Sequence, residues 1–173
     1  DEFDITVKGK GGHAASPHLA IDPVVISAQV ISAVQTIISR STDPVDKALI
    51  SITKINAGTA YNVIDDQVKM GGTIRTFKKE TRSYIEKRLG ELCKGIAEAH
   101  GAEIKIQFDL VNKYPPTINS KKESIFASNV AKDLVGEDKV ITDIDPSMGG
   151  EDFSYLLEEK PGTYLYLGQG VNN

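Results

Sequence analysis

Phe3-Asp4-Ile5-Thr6-Val7-Lys8-Gly9-Lys10-Gly11-Gly12-His13-Ala14-Ala15-Ser16-Pro17-His18 opens as a strand and ends as a glycine-rich loop. Phe3, Ile5 and Val7 fall on one face of residues 2–9 and Asp4, Thr6 and Lys8 on the other, the period of two of a half-buried strand. Gly11 and Gly12 then let the backbone approach another group and free His13 to point away from the core. Asp22-Pro23 supplies a helix N-cap and a proline at the first helical position. The helix runs to about Arg40 and is rich in Val24, Ile26, Val30, Ile31, Val34, Ile37 and Ile38. So many β-branched residues weaken intrinsic helicity, so packing against a sheet must hold it.

Outward from this unit the pattern continues. Asp43-Pro44 is a turn, and residues 47–56 form a second strand with Ile50 and Ile52 alternating against Ser51 and Thr53. A loop over 56–66 carries Gly58, Tyr61 and Asn62. The third strand, 67–77, sets Val68, Met70 and Ile74 on one face and Lys69, Thr73 and Arg75 on the other. A second helix over 80–100 repeats Ile85, Leu89, Leu92 and Ile96 at helical spacing and stops at Gly101. Residues 102–111 alternate most cleanly, with Ile104, Ile106, Phe108 and Leu110 against Glu103, Lys105, Gln107 and Asp109.

The order β-α-β-β-α-β predicts an α+β, ferredoxin-like sandwich: a four-stranded antiparallel sheet with two helices on one face. Its other face is polar and open to a ligand or partner. This domain is expected over residues 1–112. Tyr114-Pro115-Pro116-Thr117-Ile118-Asn119 reads as an extended linker. Beyond it, a helix is expected over 121–135, short strands near 139–142 and 163–168, and a brief helix over 151–158. So few apolar positions make a marginal core. Residues 113–173 therefore read as an α/β segment of an incomplete larger domain.

At 173 residues with 40% hydrophobic and 25% charged side chains, the composition is that of a globular protein. The net charge is -4 and the basic residues are scattered, which gives no footprint for nucleic acid. No apolar run of ~18 residues is evident, so no membrane span is expected. The single cysteine, Cys93, excludes an internal disulfide framework and suits a reducing, cytoplasmic compartment. It lies in a helical pattern beside Leu92 and Ile96 and reads as a small buried hydrophobe rather than a nucleophile.

Three polar groups of the first domain could do chemistry: His13, Asn62 and Arg75. The first and third strands of such a sandwich lie side by side, so residues on their polar face are expected to converge. An imidazole donating a hydrogen bond stabilises a developing oxyanion. A guanidinium fork matches a carboxylate, and an asparagine both donates and accepts. Together they describe a site for a substrate with a cleavable carbonyl and a free carboxylate. Taken singly, an arginine on a sheet face is usually solvated and an asparagine beside a turn usually forms it.

Met148-Gly149-Gly150-Glu151-Asp152-Phe153 places two carboxylates at a helix start, a stable arrangement without any function. Paired carboxylates also hold metals or orient catalytic groups. The histidines are His13, His18 and His100, and no pair has the spacing of a compact zinc motif. His100 sits where a helix C-terminus favours an imidazolium, and capping is its expected role. No nucleophile elbow, phosphate loop or dinucleotide fingerprint is present.

Gly9-Lys10-Gly11-Gly12-His13-Ala14-Ala15-Ser16-Pro17-His18 with Asp22-Pro23 resembles the lid-domain signature of the M20 metallopeptidases. The resemblance is best to the amidohydrolase branch: hippurate hydrolases, N-acyl-amino-acid amidohydrolases and indole-acetyl-amino-acid hydrolases. Ala60-Tyr61-Asn62-Val63-Ile64, Gly72-Thr73-Ile74-Arg75-Thr76-Phe77, Tyr114-Pro115, Met148 to Phe153 and Pro161-Gly162 agree in order.

That resemblance implies a two-domain enzyme whose lid also forms a homodimer, with two divalent metals (Zn, Mn, Co or Ni) in the catalytic domain. It implies that His13 reaches across the dimer to the tetrahedral intermediate, and that Asn62 and Arg75 contact substrate. Glu151 and Asp152 match a loop bordering the metal site. The dimer surface is expected on Pro23 to Arg40 and the strand from Lys47. The family's metal-binding Cys-Gly-His-Asp segment and Glu-Glu pair precede the lid, and neither stands ahead of it in this sequence. The chain is therefore expected to hold no metal ligands and to be inert alone. The alternative is a non-catalytic module that dimerises or binds a small carboxylate.

Overall fold

The computed structural model describes residues 1–108, 114–168 and 170. The chain divides into two compact units, Asp1–Lys113 and Tyr114–Asn173.

In the first unit β1 (Glu2–Lys8) alternates exposed and buried residues as its pattern demands, with Phe3, Ile5 and Val7 inside. The GGHAASPH loop contributes a two-residue strand, β2 (Gly12–His13), and a 3-10 turn at Pro17–Leu19. The helix α1 (Pro23–Thr36) starts as expected: the Asp22 carboxylate accepts from the Val24 N–H at 2.8 Å and the Val25 N–H at 3.4 Å. It continues into a π turn over Ile37–Ser41. Next come β3 (Ala48–Asn56), β4 (Val63–Ile64), β5 (Gln67–Thr76), α2 (Lys79–His100) and β6 (Glu103–Phe108). Gly101 ends α2 in the left-handed conformation, φ 67°. Residues 109–111 of the expected last strand lie outside the described residues.

The main sheet has the order β3-β5-β1-β6, antiparallel throughout. The ferredoxin-like α+β sandwich is thus the fold of this unit. Helix α1 packs over β3, β5 and β1, and α2 over β5 and β6. Between the layers lie Phe3, Ile5, Val7, Ile26, Val30, Val34, Ile37, Ile74, Ile85, Leu89 and Cys93, all essentially inaccessible. Burial pushes the Cys93 thiol up to about 11.

Contrary to the expectation from sequence, the run Pro23–Ser41 is long and apolar enough to cross a membrane by length and composition, with a mean hydropathy of 1.3. In the fold one side of it faces this core, where Ile26, Val30, Val34 and Ile37 are buried.

Two details of the sheet position the rest. A bulge at Thr53 interrupts the β3–β5 register between Ile52 and Lys54. The extra residue carries Ile55 opposite Met70, where Ile55 itself stays exposed. At Gly72 a Cβ would stand 2.2 Å from the Ser51 carbonyl oxygen and 2.6 Å from the Phe3 ring. Phe3 pairs with Gly72 in the ladder, so its ring occupies the space that a side chain there would need.

The second unit contains α3 (Lys121–Val135) and α4 (Phe153–Glu159). The strands expected near 139–142 and 163–168 do not form, because no strand among the described residues of this unit is there to pair with them. In their place the Asn119 side-chain amide binds the Tyr164 main chain, donating to its carbonyl at 3.0 Å and accepting from its N–H at 2.7 Å. Among the described residues of this unit only Ser154 is fully buried.

Candidate functional site

The loop that carries His13 is closed by backbone. Lys10 and Ile21 exchange N–H to carbonyl bonds of 2.9 Å in both directions, and the Gly9 N–H donates to the Asp66 carbonyl at 2.8 Å. A Cβ on Gly9 would lie 2.1 Å from the Ile21 carbonyl oxygen, and one on Gly11 would lie 2.9 Å from that of Ile64. Gly9 and Gly11 are therefore demanded by close backbone approach, whereas a Cβ on Gly12 would meet only the Ala20 methyl at 3.3 Å.

Past this closure β2 and β4 form a short antiparallel ribbon, with Gly12 opposite Ile64 and His13 opposite Val63. The Ala14 N–H donates to the Asn62 carbonyl at 3.0 Å. His13 and Asn62 thus belong to one hydrogen-bonded ribbon. Both are exposed, as is the neighbouring Tyr61. The loop before the ribbon is stapled by the Thr59 hydroxyl, which donates to the Asp65 carboxylate at 2.7 Å.

His13 is oriented by its own turn. Its Nδ1 accepts from the Ala15 N–H at 3.1 Å, and its carbonyl accepts from the Ser16 N–H at 2.8 Å. A ring nitrogen that accepts carries no proton, so in the neutral imidazole the proton sits on Nε2. The side chain therefore offers one N–H donor, at Nε2. Sequence reading missed Ala15, because a backbone donor carries no side-chain signal.

Arg75 is elsewhere. It is half-buried on β5 opposite Leu49. In the antiparallel register of β1 and β5, Lys8 lies opposite Gln67 and Glu2 opposite Thr73. His13, beyond Lys8, is at the Gln67 end, and Arg75 is at the other. Eight residues of strand separate Gln67 from Arg75, about 26 Å. The strands are neighbours as expected, but His13 and Arg75 do not converge within one chain.

In the second unit Glu151 accepts from the Tyr164 hydroxyl at 3.2 Å and from the Phe153 N–H at 3.4 Å. The Glu151 charge holds the Tyr164 phenol above its ordinary range. Tyr164 also packs against Phe153 and Tyr166, with ring centroids 5.6 and 5.2 Å apart. Asp152 is exposed at the N-cap of α4 and makes no side-chain capping bond. His18 is exposed in the 3-10 turn. His100 ties the end of α2 to α1 through Gln29, 2.8 Å away. Among the described residues no group of three or more His, Cys, Asp or Glu is placed to hold a metal ion.

Residues 1–101 match the model of the peptidase dimerisation domain of the M20 family. The chain is 37% identical over 168 residues to an N-acetylcysteine deacetylase from Bacillus subtilis, covering 97% of this chain and 43% of that protein. It is 40% identical over 167 residues to a hippurate hydrolase from Campylobacter jejuni, covering 96% and 43%. A solved dinuclear metal-binding peptidase of the M20 family from Bacillus subtilis superposes with a TM-score of 0.68 at 33% identity, over 93% of this chain and 38% of that one. The chain thus spans less than half the length of these relatives. With the sandwich, the His13 ribbon and the match over 1–101 in agreement, the chain belongs to the M20 family and carries its peptidase dimerisation domain.

Proposed function

We propose that this chain is the substrate-binding, dimerising lid, with an adjoining catalytic-domain segment, of a metal-dependent amidohydrolase that cleaves N-acyl amino acids or related small amides and peptides. The observation that carries the reading is the His13 ribbon: an exposed imidazole with its Nδ1 engaged by Ala15 and its Nε2–H left to donate. Such a donor stabilises the negative charge that develops on an amide carbonyl oxygen under attack. Asn62, locked to the same ribbon, orients the substrate beside it. Arg75 offers a guanidinium to the substrate carboxylate.

Because His13 and Arg75 stand at opposite ends of the sheet, one site uses both only if two chains contribute. This supports a homodimer in which His13 and Asn62 act on the partner's site. The β3 edge and the outer side of α1, where Val25, Ala28 and Ser32 line a shallow depression, form its contact surface. Small side chains there let two helices approach closely, and an unpaired edge strand offers its backbone groups to a second copy.

The dinuclear neighbour supports divalent metals in the complete enzyme. Within this chain the roles proposed are those of His13, Asn62 and Arg75. Glu151 and Asp152 are assigned to the border of the metal site. A reduced thiol such as Cys93 suits the cytoplasm.

The test is His13→Ala in the complete enzyme with its metals bound. We expect kcat on an N-acyl amino acid to fall by about 10² or more with metal content unchanged. Undiminished turnover would overturn the catalytic role and favour the non-catalytic dimerisation module.

A further inference from the structure

We infer, resting on the amidohydrolase reading, that Tyr61 and Val63 are the contact for the acyl group of the substrate, and that Tyr61 selects flat aromatic acyl groups over acetyl. Register places Val63. Gly12 lies opposite Ile64 and His13 opposite Val63, and the Ala14 N–H donates to the Asn62 carbonyl. Hydrogen-bonded and non-hydrogen-bonded pairs alternate along an antiparallel ribbon, so His13 and Val63 form the narrow, non-hydrogen-bonded pair. Side chains of such a pair leave the ribbon on one face, with Cβ atoms about 4.5–5.5 Å apart. Val63 is nonetheless 44% exposed. An apolar side chain therefore stands open beside the imidazole that donates through Nε2.

Tyr61 is the second apolar group. Ala60 to Val63 is a tight turn closed by the Val63 N–H on the Ala60 carbonyl at 3.2 Å. Tyr61 stands at its first corner, fully in solvent with a relative exposure of 108%. The turn beneath it is fixed by that bond, by the Ala14–Asn62 bond and by the Thr59 hydroxyl on Asp65. The fold gains no burial from this ring, yet holds its backbone at a set place next to Asn62. A large amphipathic ring presented in this way is a contact surface for another molecule.

Bond connectivity decides which part of the substrate meets it. His13 donates to the oxygen of the scissile carbonyl, and the acyl substituent is bonded directly to that carbonyl carbon. The substrate carboxylate lies beyond the amide nitrogen and the α-carbon, toward Arg75. The group set against the neighbours of His13 is therefore the acyl substituent. Tyr61 is two residues from Val63, at most about 7 Å along the chain. An acetyl methyl covers Val63 and does not bridge that distance. A benzoyl ring lies on Val63 and meets the Tyr61 ring, and two rings attract at centroid separations of about 4.5–7 Å.

The experiment is steady-state hydrolysis of N-benzoylalanine and N-acetylalanine by the complete enzyme with its metals bound, wild type beside Tyr61→Ala and Tyr61→Phe. Neither variant disturbs the core, because Tyr61 is exposed. We expect the benzoyl-to-acetyl ratio of kcat/KM to fall about tenfold or more in Tyr61→Ala, chiefly through a higher KM for the benzoyl substrate. Tyr61→Phe keeps the ring and should hold the ratio within about twofold of wild type. An unchanged ratio in Tyr61→Ala, an equal loss on both substrates, or a wild type that prefers acetyl overturns the selectivity and leaves the amidohydrolase reading intact. A wild type inert toward both substrates overturns that reading, and the proposal falls with it.

Discussion

His13 and Arg75 stand at opposite ends of two hydrogen-bonded strands, because β1 and β5 run antiparallel and His13 follows the end of β1 that faces Gln67. This separation makes a specific prediction for mixed enzymes. In the complete protein, His13→Ala and Arg75→Ala are each expected to be nearly inactive as homodimers. A mixed dimer of the two has one site with both residues native and one with neither. Subunit exchange at equal amounts should restore about a quarter of the wild-type activity, the statistical share of intact sites. No recovery on mixing would place both residues in the same chain's site.

Gly72 has no room for a side chain. Gly72→Ala sets a methyl group against the Ser51 carbonyl and the Phe3 ring and should destabilise the chain by about 1–3 kcal/mol. Gly90, in α2 with nothing within 4 Å of its Cβ position, is the contrasting case. Gly90→Ala should stabilise by about 0.5–1 kcal/mol through helix propensity. Urea unfolding of both variants checks the pair, and equal effects would mean that Phe3 moves aside freely.

Asp22 caps α1 through two backbone N–H groups. Asp22→Ala should cost about 1 kcal/mol, and Asp22→Asn much less, because an amide oxygen still accepts. Denaturation midpoints of the two variants decide it.

Cys93 makes stability depend on alkaline pH. Burial raises its thiol from 9.0 to about 11, so above pH 9 the unfolded chain releases a proton that the folded chain keeps. The unfolded state then binds fewer protons, and stability falls as pH rises, by about 2–3 kcal/mol by pH 11. Cys93→Ala removes this contribution. The wild type should lose more stability between pH 9 and 11 than the variant, and parallel curves would contradict the burial argument.

Metal titration provides another check. The described residues contain no group fit to hold an ion, so calorimetry of the reduced chain with Zn²⁺ or Mn²⁺ should show no binding tighter than ~10 μM. Stoichiometric tight binding would place a metal site in this chain and remove His13 from the role of a free donor.

The sequence by itself determined the sandwich. Period-two alternation around Ile5, Ile74 and Ile106, helical repeats through Val30 and Leu89, and the stops at Asp22 and Gly101 are local signals, and local signals survive in a linear string. Tertiary structure alone decided which polar residues meet. Register is a relation between distant segments, and it carried Arg75 away from His13 while binding Asn62 to it. It also decided that residues 163–168 form no strand, because a ladder needs a partner to satisfy its backbone groups. The orientation of His13 came from the Ala15 N–H, a group every residue but proline carries, so it becomes informative only once the chain has folded.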